Sequence, residues 1–86
     1  MKLWYVYILK CSDGTLYTGI TNDLWARLKK HNAGKGAKYT RGRTPVDIVY
    51  TQQLADQSTA LKVECEIKKK TRAQKLALIS DNGVWS

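Results

Sequence analysis

The chain has 86 residues, 43% of them hydrophobic, and 15 Lys and Arg against 7 Asp and Glu leave a formal net charge of +8. A chain this short buries one modest core, so a single domain over residues 1–86 is expected, and its ordinary hydrophobic share excludes a disordered polar chain. The basic excess favours a polyanionic partner, nucleic acid before an anionic membrane.

The two cysteines, Cys11 and Cys65, stand in no metal-binding spacing and read as reduced thiols, with Cys65 expected inside. No apolar run approaches the ~18 residues that cross a bilayer. Met1-Lys2 leads straight into a strand pattern, too short for a secretory leader. A cytoplasmic protein with no membrane partner is expected, monomeric rather than assembled.

Residues 3–10 are aromatic and β-branched almost without a break, which predicts a strand covered on both faces. Ser12-Asp13-Gly14 reads as a turn, and residues 15–20 as the return strand. Turn length decides which residues face each other. A two-residue loop at Asp13-Gly14 would put Tyr7 and Tyr17 on opposite faces. A three-residue loop, favoured because Gly14 suits its left-handed last position, pairs Tyr7 with Gly19 and Leu9 with Tyr17. Both tyrosines then share one face, and Gly19 leaves open space above the Tyr7 ring.

Asn22 is the expected cap of a helix carrying Asp23 in its first turn, running to about Asn32 and ending at Gly34. Leu24 and Leu28 mark its buried stripe, with Trp25 at one margin. Arg27 and His31, one turn apart, share the other margin, either as a solvated pair or reaching over the sheet. Residues 33–45 form a Gly-rich loop with four cations, Lys35, Lys38, Arg41 and Arg43, and an interleaved Tyr39. That mixture suits a phosphate backbone and one stacked base. Pro45 precedes a third strand, residues 46–53, with alternation at Val46, Ile48 and Tyr50. Ser58 is the expected start of a second helix whose inward face holds Ala60, Leu61, Glu64, Cys65 and Lys68. An inward carboxylate such as Glu64 needs a partner or a metal. Thr71 and Gln74 make a capping box for a last helix from Arg72 to about Ser80, and Trp85 is expected to tuck the tail down.

One histidine excludes multi-histidine zinc sites, and no Ser-His-Asp or Cys-His pattern has supporting context. What remains is two tyrosines on one sheet face, an Arg-His pair and one inward-leaning Glu, set in a basic chain. Phosphodiester hydrolysis uses such parts: a proton acceptor for water, a cation beside the developing charge, and a divalent metal.

Y-V-Y (5–7), Y-T-G (17–19), Arg27, His31 and A-L-K-V-E ending at Glu64 resemble, in order and spacing, the GIY-YIG nuclease superfamily. The K-G-A-K-Y-T-R-G-R-T-P loop is similar to that of its small stand-alone bacterial branch. The resemblance implies an α/β (α+β) domain built on a three-stranded antiparallel sheet flanked by about three helices. It implies a metal-dependent endonuclease, a hydrolase of nucleic acid and of DNA in preference to RNA. Tyr7 and Tyr17 would then activate the water and contact the phosphate. Arg27 would steady phosphate charge, and His31 would assist proton transfer. Glu64 would hold one divalent cation, Mg²⁺ or Mn²⁺, weakly without substrate. The other reading is a non-catalytic basic nucleic-acid-binding module with the same fold. Where some members carry a Lys three residues after the second tyrosine, this chain has Ile20, and where several carry a late Asn it has Leu76. Lys10, or a lysine of residues 35–38, is the candidate replacement cation.

Overall fold

The hairpin at the start of the chain decides which side chains meet on each face of the sheet. In the computed structural model, which describes residues 3–82, β1 (Trp4–Lys10) and β2 (Leu16–Thr21) run antiparallel with Tyr7 opposite Gly19 and Leu9 opposite Tyr17. This is the register of the odd-length turn, and Gly14 closes it with φ at 84°. The third strand, β3 (Asp47–Leu54), pairs antiparallel on the other side of β1, giving the sheet order β2-β1-β3.

With β1 central, its alternate side chains enter two separate apolar layers. Val6 and Ile8 pack with Tyr50, Ala60 and Ile67 under α2 (Gln57–Lys68) and α3 (Arg72–Asn82). Tyr7 and Leu9 pack with Cys11, Val46 and Ile48 under α1 (Leu24–Asn32). Val6, Ile8 and Leu9 are wholly buried, each contributing roughly 1.5–3 kcal/mol relative to exposure. The strand covered on both faces is therefore found as expected.

The third strand departs from simple alternation. Its register passes from Ile8 opposite Tyr50 to Leu9 opposite Ile48, so Val49 is the extra residue of a β-bulge. Ile48 consequently faces the α1 layer and Tyr50 the α2 layer, although both are buried.

Both helix starts differ from expectation because an aspartate outcompetes the neutral candidate as cap. Asp23, not Asn22, caps α1: its carboxylate accepts from the Ala26 N–H at 3.1 Å, and its own N–H donates to Thr21 Oγ1. Asp56 caps α2 by accepting from the Thr59 N–H at 2.7 Å, so the helix begins before Ser58. The Thr71–Gln74 capping box forms reciprocally, as its residue types require.

The inward face of α2 is narrower than expected and is rotated away from Leu61 and Cys65. Ala60 and Ile67 are buried and Val63 and Glu64 half-buried, the i, i+3, i+4, i+7 set of one helical stripe. Leu61 and Cys65 belong to the adjoining stripe and are exposed, so the buried thiol is Cys11 and not Cys65. The expected role of Trp85 lies outside the described residues. Among the described residues, no helix is long and apolar enough to cross a membrane.

Candidate active site

Tyr7 stands at the centre of β1, on the α1 side of the sheet, and is 1% exposed. The space above Gly19 is filled by the Tyr7 ring itself rather than left open. A Cβ built on Gly19 would lie 2.6 Å from Tyr7 Oη and 3.1 Å from the Tyr17 ring. The bare backbone at Gly19 thus lets the two rings settle with their centroids 6.4 Å apart. Tyr17 is half-buried on the edge strand.

Helix α1 delivers Arg27 and His31 to the same place, one turn apart on one side. The solvated Arg-His pair is not what forms. His31 is fully buried, its Nε2 lies 3.1 Å from Tyr7 Oη, and its Nδ1 lies 2.8 Å from Thr40 Oγ1. Gly36 lies flat against the imidazole, where a side chain would collide with Nδ1. Burial, with the Arg27 guanidinium second, holds the His31 pKa below its ordinary 6.5. Burial likewise pushes the Tyr7 phenol above 10. The Arg27 guanidinium pulls the other way, and the nearby Tyr17 and Glu64 add to the rise. At neutral pH the pair is therefore a neutral phenol against a neutral imidazole.

Arg27 is half-buried, and its Nε–H is buried without a hydrogen-bond partner. An orphaned donor of this kind costs about 1–3 kcal/mol unless something accepts from it. Glu64 comes from α2, in the layer on the other face of the sheet, yet its charge is felt at Tyr7. Its side chain is 17% exposed and pairs with Lys68 Nζ at 3.6 Å within the helix. That contact is long and Lys68 is half-exposed, so the carboxylate is only weakly held. Of the five residues expected from the sequence, Tyr17, Arg27 and His31 thus gather around the Tyr7 phenol, while Glu64 reaches it only through the field of its charge.

The basic loop divides into two groups. Lys35, Lys38 and Arg41 are exposed. Arg43 is instead woven into the fold. Its guanidinium lies 4.3 Å from the Tyr39 ring centroid, donates to Thr15 Oγ1 at 3.2 Å and pairs with Asp13 at 3.6 Å. Tyr39 stacks on Tyr17 with centroids 5.8 Å apart while remaining 41% exposed. The loop is therefore strapped over the hairpin, with Tyr39 continuing the aromatic surface outward from Tyr17. Asn32 anchors the far end, exchanging two hydrogen bonds with the backbone of Val46 just after the cis Thr44–Pro45 bond.

Two residues of this assembly are not expected from the sequence. Thr40 is fully buried against His31, and Asn32 pins the loop. Neither partnership has a local signature, because each spans a loop whose path is set by packing. Of the proposed replacement cations, Lys10 is exposed at the end of β1. Ile20 packs into the α2 layer, and Leu76 is exposed on α3.

Comparison with known proteins agrees with this geometry. The sequence profile of the GIY-YIG catalytic domain matches residues 3–77. A UPF0213 protein of Streptococcus sanguinis is 54% identical over 77 residues, covering 90% of this chain and 88% of that protein. A UPF0213 protein of Staphylococcus aureus is 56% identical over 81 residues, covering 94% and 99%. The solution structure of a UPF0213 protein from Bacillus halodurans superposes with a TM-score of 0.62 at 48% identity, covering 95% of this chain and 87% of the other. That of a protein from E. faecalis superposes at 0.65 with 40% identity, covering 98% and 90%. With the motif, sheet register and sequence profile in agreement, the chain belongs to the GIY-YIG catalytic domain family.

Proposed function

We propose that this protein is a metal-dependent endonuclease that hydrolyses phosphodiester bonds in nucleic acid, DNA in preference to RNA. The observation that supports it best is the convergence on Tyr7 of His31, within hydrogen-bonding distance of the phenol, and Arg27 from the same helix, with the Tyr17 ring beside them. Nothing in core packing demands a base and a cation beside one phenol.

The roles follow from exposure. Tyr7 and His31 are enclosed and handle protons, while Tyr17, Arg27 and Glu64 are partly accessible and handle the phosphate. Tyr7 Oη accepts a proton from the attacking water as it passes its own to His31 Nε2, leaving a neutral phenol and an imidazolium. The water oxygen forms the new bond to phosphorus as the bond to the leaving oxygen breaks. That oxygen takes a proton from a solvent water, and the imidazolium returns its proton through Tyr7 to the hydroxide so formed. The Arg27 guanidinium, half-buried beside Tyr7, would steady the charge on the phosphoryl oxygens.

Among the described residues there is no cluster of three His, Cys, Asp or Glu that could hold a metal. A lone, loosely paired Glu64 fits Mg²⁺ or Mn²⁺ completed by substrate oxygens and water, since Mg²⁺ keeps most of its waters and takes few carboxylates. Such an ion would neutralise phosphate charge at the bond being broken. Exposed Lys35, Lys38 and Arg41, with Tyr39 beside them, would hold the strand.

A nicking assay on structured DNA with Mg²⁺ or Mn²⁺ tests the proposal. Cleavage that disappears in Tyr17→Phe, Arg27→Ala and Glu64→Gln supports it. Binding without any cleavage would leave the non-catalytic module as the function.

A further inference from the structure

The hydrogen bonds around His31 determine where its proton sits. Thr40 Oγ1 has one proton and two close neighbours, Ala37 O at 2.9 Å and His31 Nδ1 at 2.8 Å. The carbonyl can only accept. If Nδ1 also presented a lone pair, the hydroxyl could serve one neighbour and would leave two acceptors facing each other in a buried site. If Nδ1 carries the proton, both contacts are satisfied: Nδ1–H donates to Thr40 Oγ1, and Thr40 O–H donates to Ala37 O. The other ring nitrogen must then present its lone pair to Tyr7, whose O–H donates to it across 3.1 Å.

We propose that Thr40 is a positioning residue that locks His31 in the Nδ1–H tautomer and so makes its Nε2 the proton acceptor for Tyr7. Thr40 sits in the short 3₁₀ turn Lys38–Thr40 and is fully buried, and its own N–H also donates to Ala37 O. Its position is therefore set by backbone as well as side chain. Gly36 holds the opposing ring in place, because no larger residue fits against Nδ1. Without the Thr40 hydroxyl, a buried Nδ1–H would have no acceptor. The neutral ring would then favour the Nε2–H form, which donates to Tyr7 and can no longer take its proton. Thr40 is flanked by Lys38, Tyr39 and Arg41, so one turn of backbone carries both the proton chain and the phosphate-facing side chains.

The tautomer assignment stands on geometry alone; its consequence for cleavage rests on the nuclease function proposed for the site. The test is a long-range ¹H–¹⁵N correlation spectrum of the full chain near pH 7.5, reading whether each His31 nitrogen is protonated. In the native protein Nδ1 should be protonated and Nε2 bare. Thr40→Val, close in shape, should shift the population toward the opposite pattern, and Thr40→Ser should restore the native one. An Nε2–H ring in the native protein would overturn the proposal, with no need for a variant to fold. A Thr40→Val protein with the native nitrogen pattern would overturn it too. In the nicking assay Thr40→Val should lower kcat at least about tenfold with little change in KM, and Thr40→Ser should recover most of the rate. If the native protein does not cleave DNA, the nuclease function fails while the nitrogen pattern still decides the assignment.

Discussion

Tyr7 and His31, 24 positions apart in the chain, meet across 3.1 Å in a fully enclosed site. Each is the other's polar partner, so neither can be removed quietly. Tyr7→Phe should leave the His31 Nε2 lone pair buried and unmatched, costing about 1–3 kcal/mol in a urea melt. If Tyr7 activates water, the same variant should lose about 10²–10⁴-fold in cleavage rate.

Glu64 should separate catalysis from binding. Its ion pair with Lys68 is long and partly exposed, so Glu64→Gln should change stability by less than about 1 kcal/mol. DNA affinity in EDTA should hold within about twofold, since no cationic side chain is lost. Cleavage in Mg²⁺ should fall to background in the same preparation.

Gly19 is required by the ring above it. A methyl group there would stand 2.6 Å from Tyr7 Oη and must displace the phenol. Gly19→Ala should therefore destabilise the protein by about 1–3 kcal/mol. It should also disturb the His31 ring signals in an NMR spectrum, because the displaced phenol is the partner of that ring.

The pH dependence of stability follows from a histidine buried neutral. Because the His31 pKa in the folded protein lies below 6.5, the unfolded chain takes up its proton first as pH falls. Stability should be fully present above pH 6.5, decline as pH drops below it, and level once the folded ring itself protonates. The charged group that opposes that protonation is Arg27, and the other titratable groups against the ring are Tyr7 and Tyr17. Asp13 and Asp56, held below 3.8 by their hydrogen bonds to Thr15 and Thr59, act only at more acid pH. Denaturant melts between pH 5 and 8 should thus show a slope that His31→Gln removes.

The loop cations should fall into two classes. Replacing exposed Lys38 and Arg41 by Ala should weaken DNA binding and lower its salt slope by about 0.9 per lost phosphate contact, with little change in stability. Arg43→Ala should do the same to binding but also cost about 1–2 kcal/mol of stability through its lost contacts with Thr15 and Tyr39. Salt-dependent binding isotherms beside thermal melts distinguish the two.

The sequence determined the hairpin register and which side chains share its face. Turn chemistry at Ser12-Asp13-Gly14 acts over three residues, and Gly14 makes the odd-length loop favourable wherever the rest of the chain goes. Once that register is set, Tyr7 and Tyr17 share a face, and helical spacing gives Arg27 and His31 a common direction. The capping box at Thr71 is legible for the same reason: its partners are three residues apart. What only the tertiary structure decided is whatever depends on two distant segments competing for one space. The Val49 bulge, which sends Ile48 and Tyr50 to opposite layers, arises from fitting β3 against β1. The choice between the two stripes of α2 was made by the sheet it covers. The partnership of Thr40 with His31 depends on a Gly-rich loop folding back over the hairpin, held by Arg43 at one end and Asn32 at the other. No local rule encodes that return path, because the contacts that tie the loop down are made to the hairpin and α1 rather than within the loop itself.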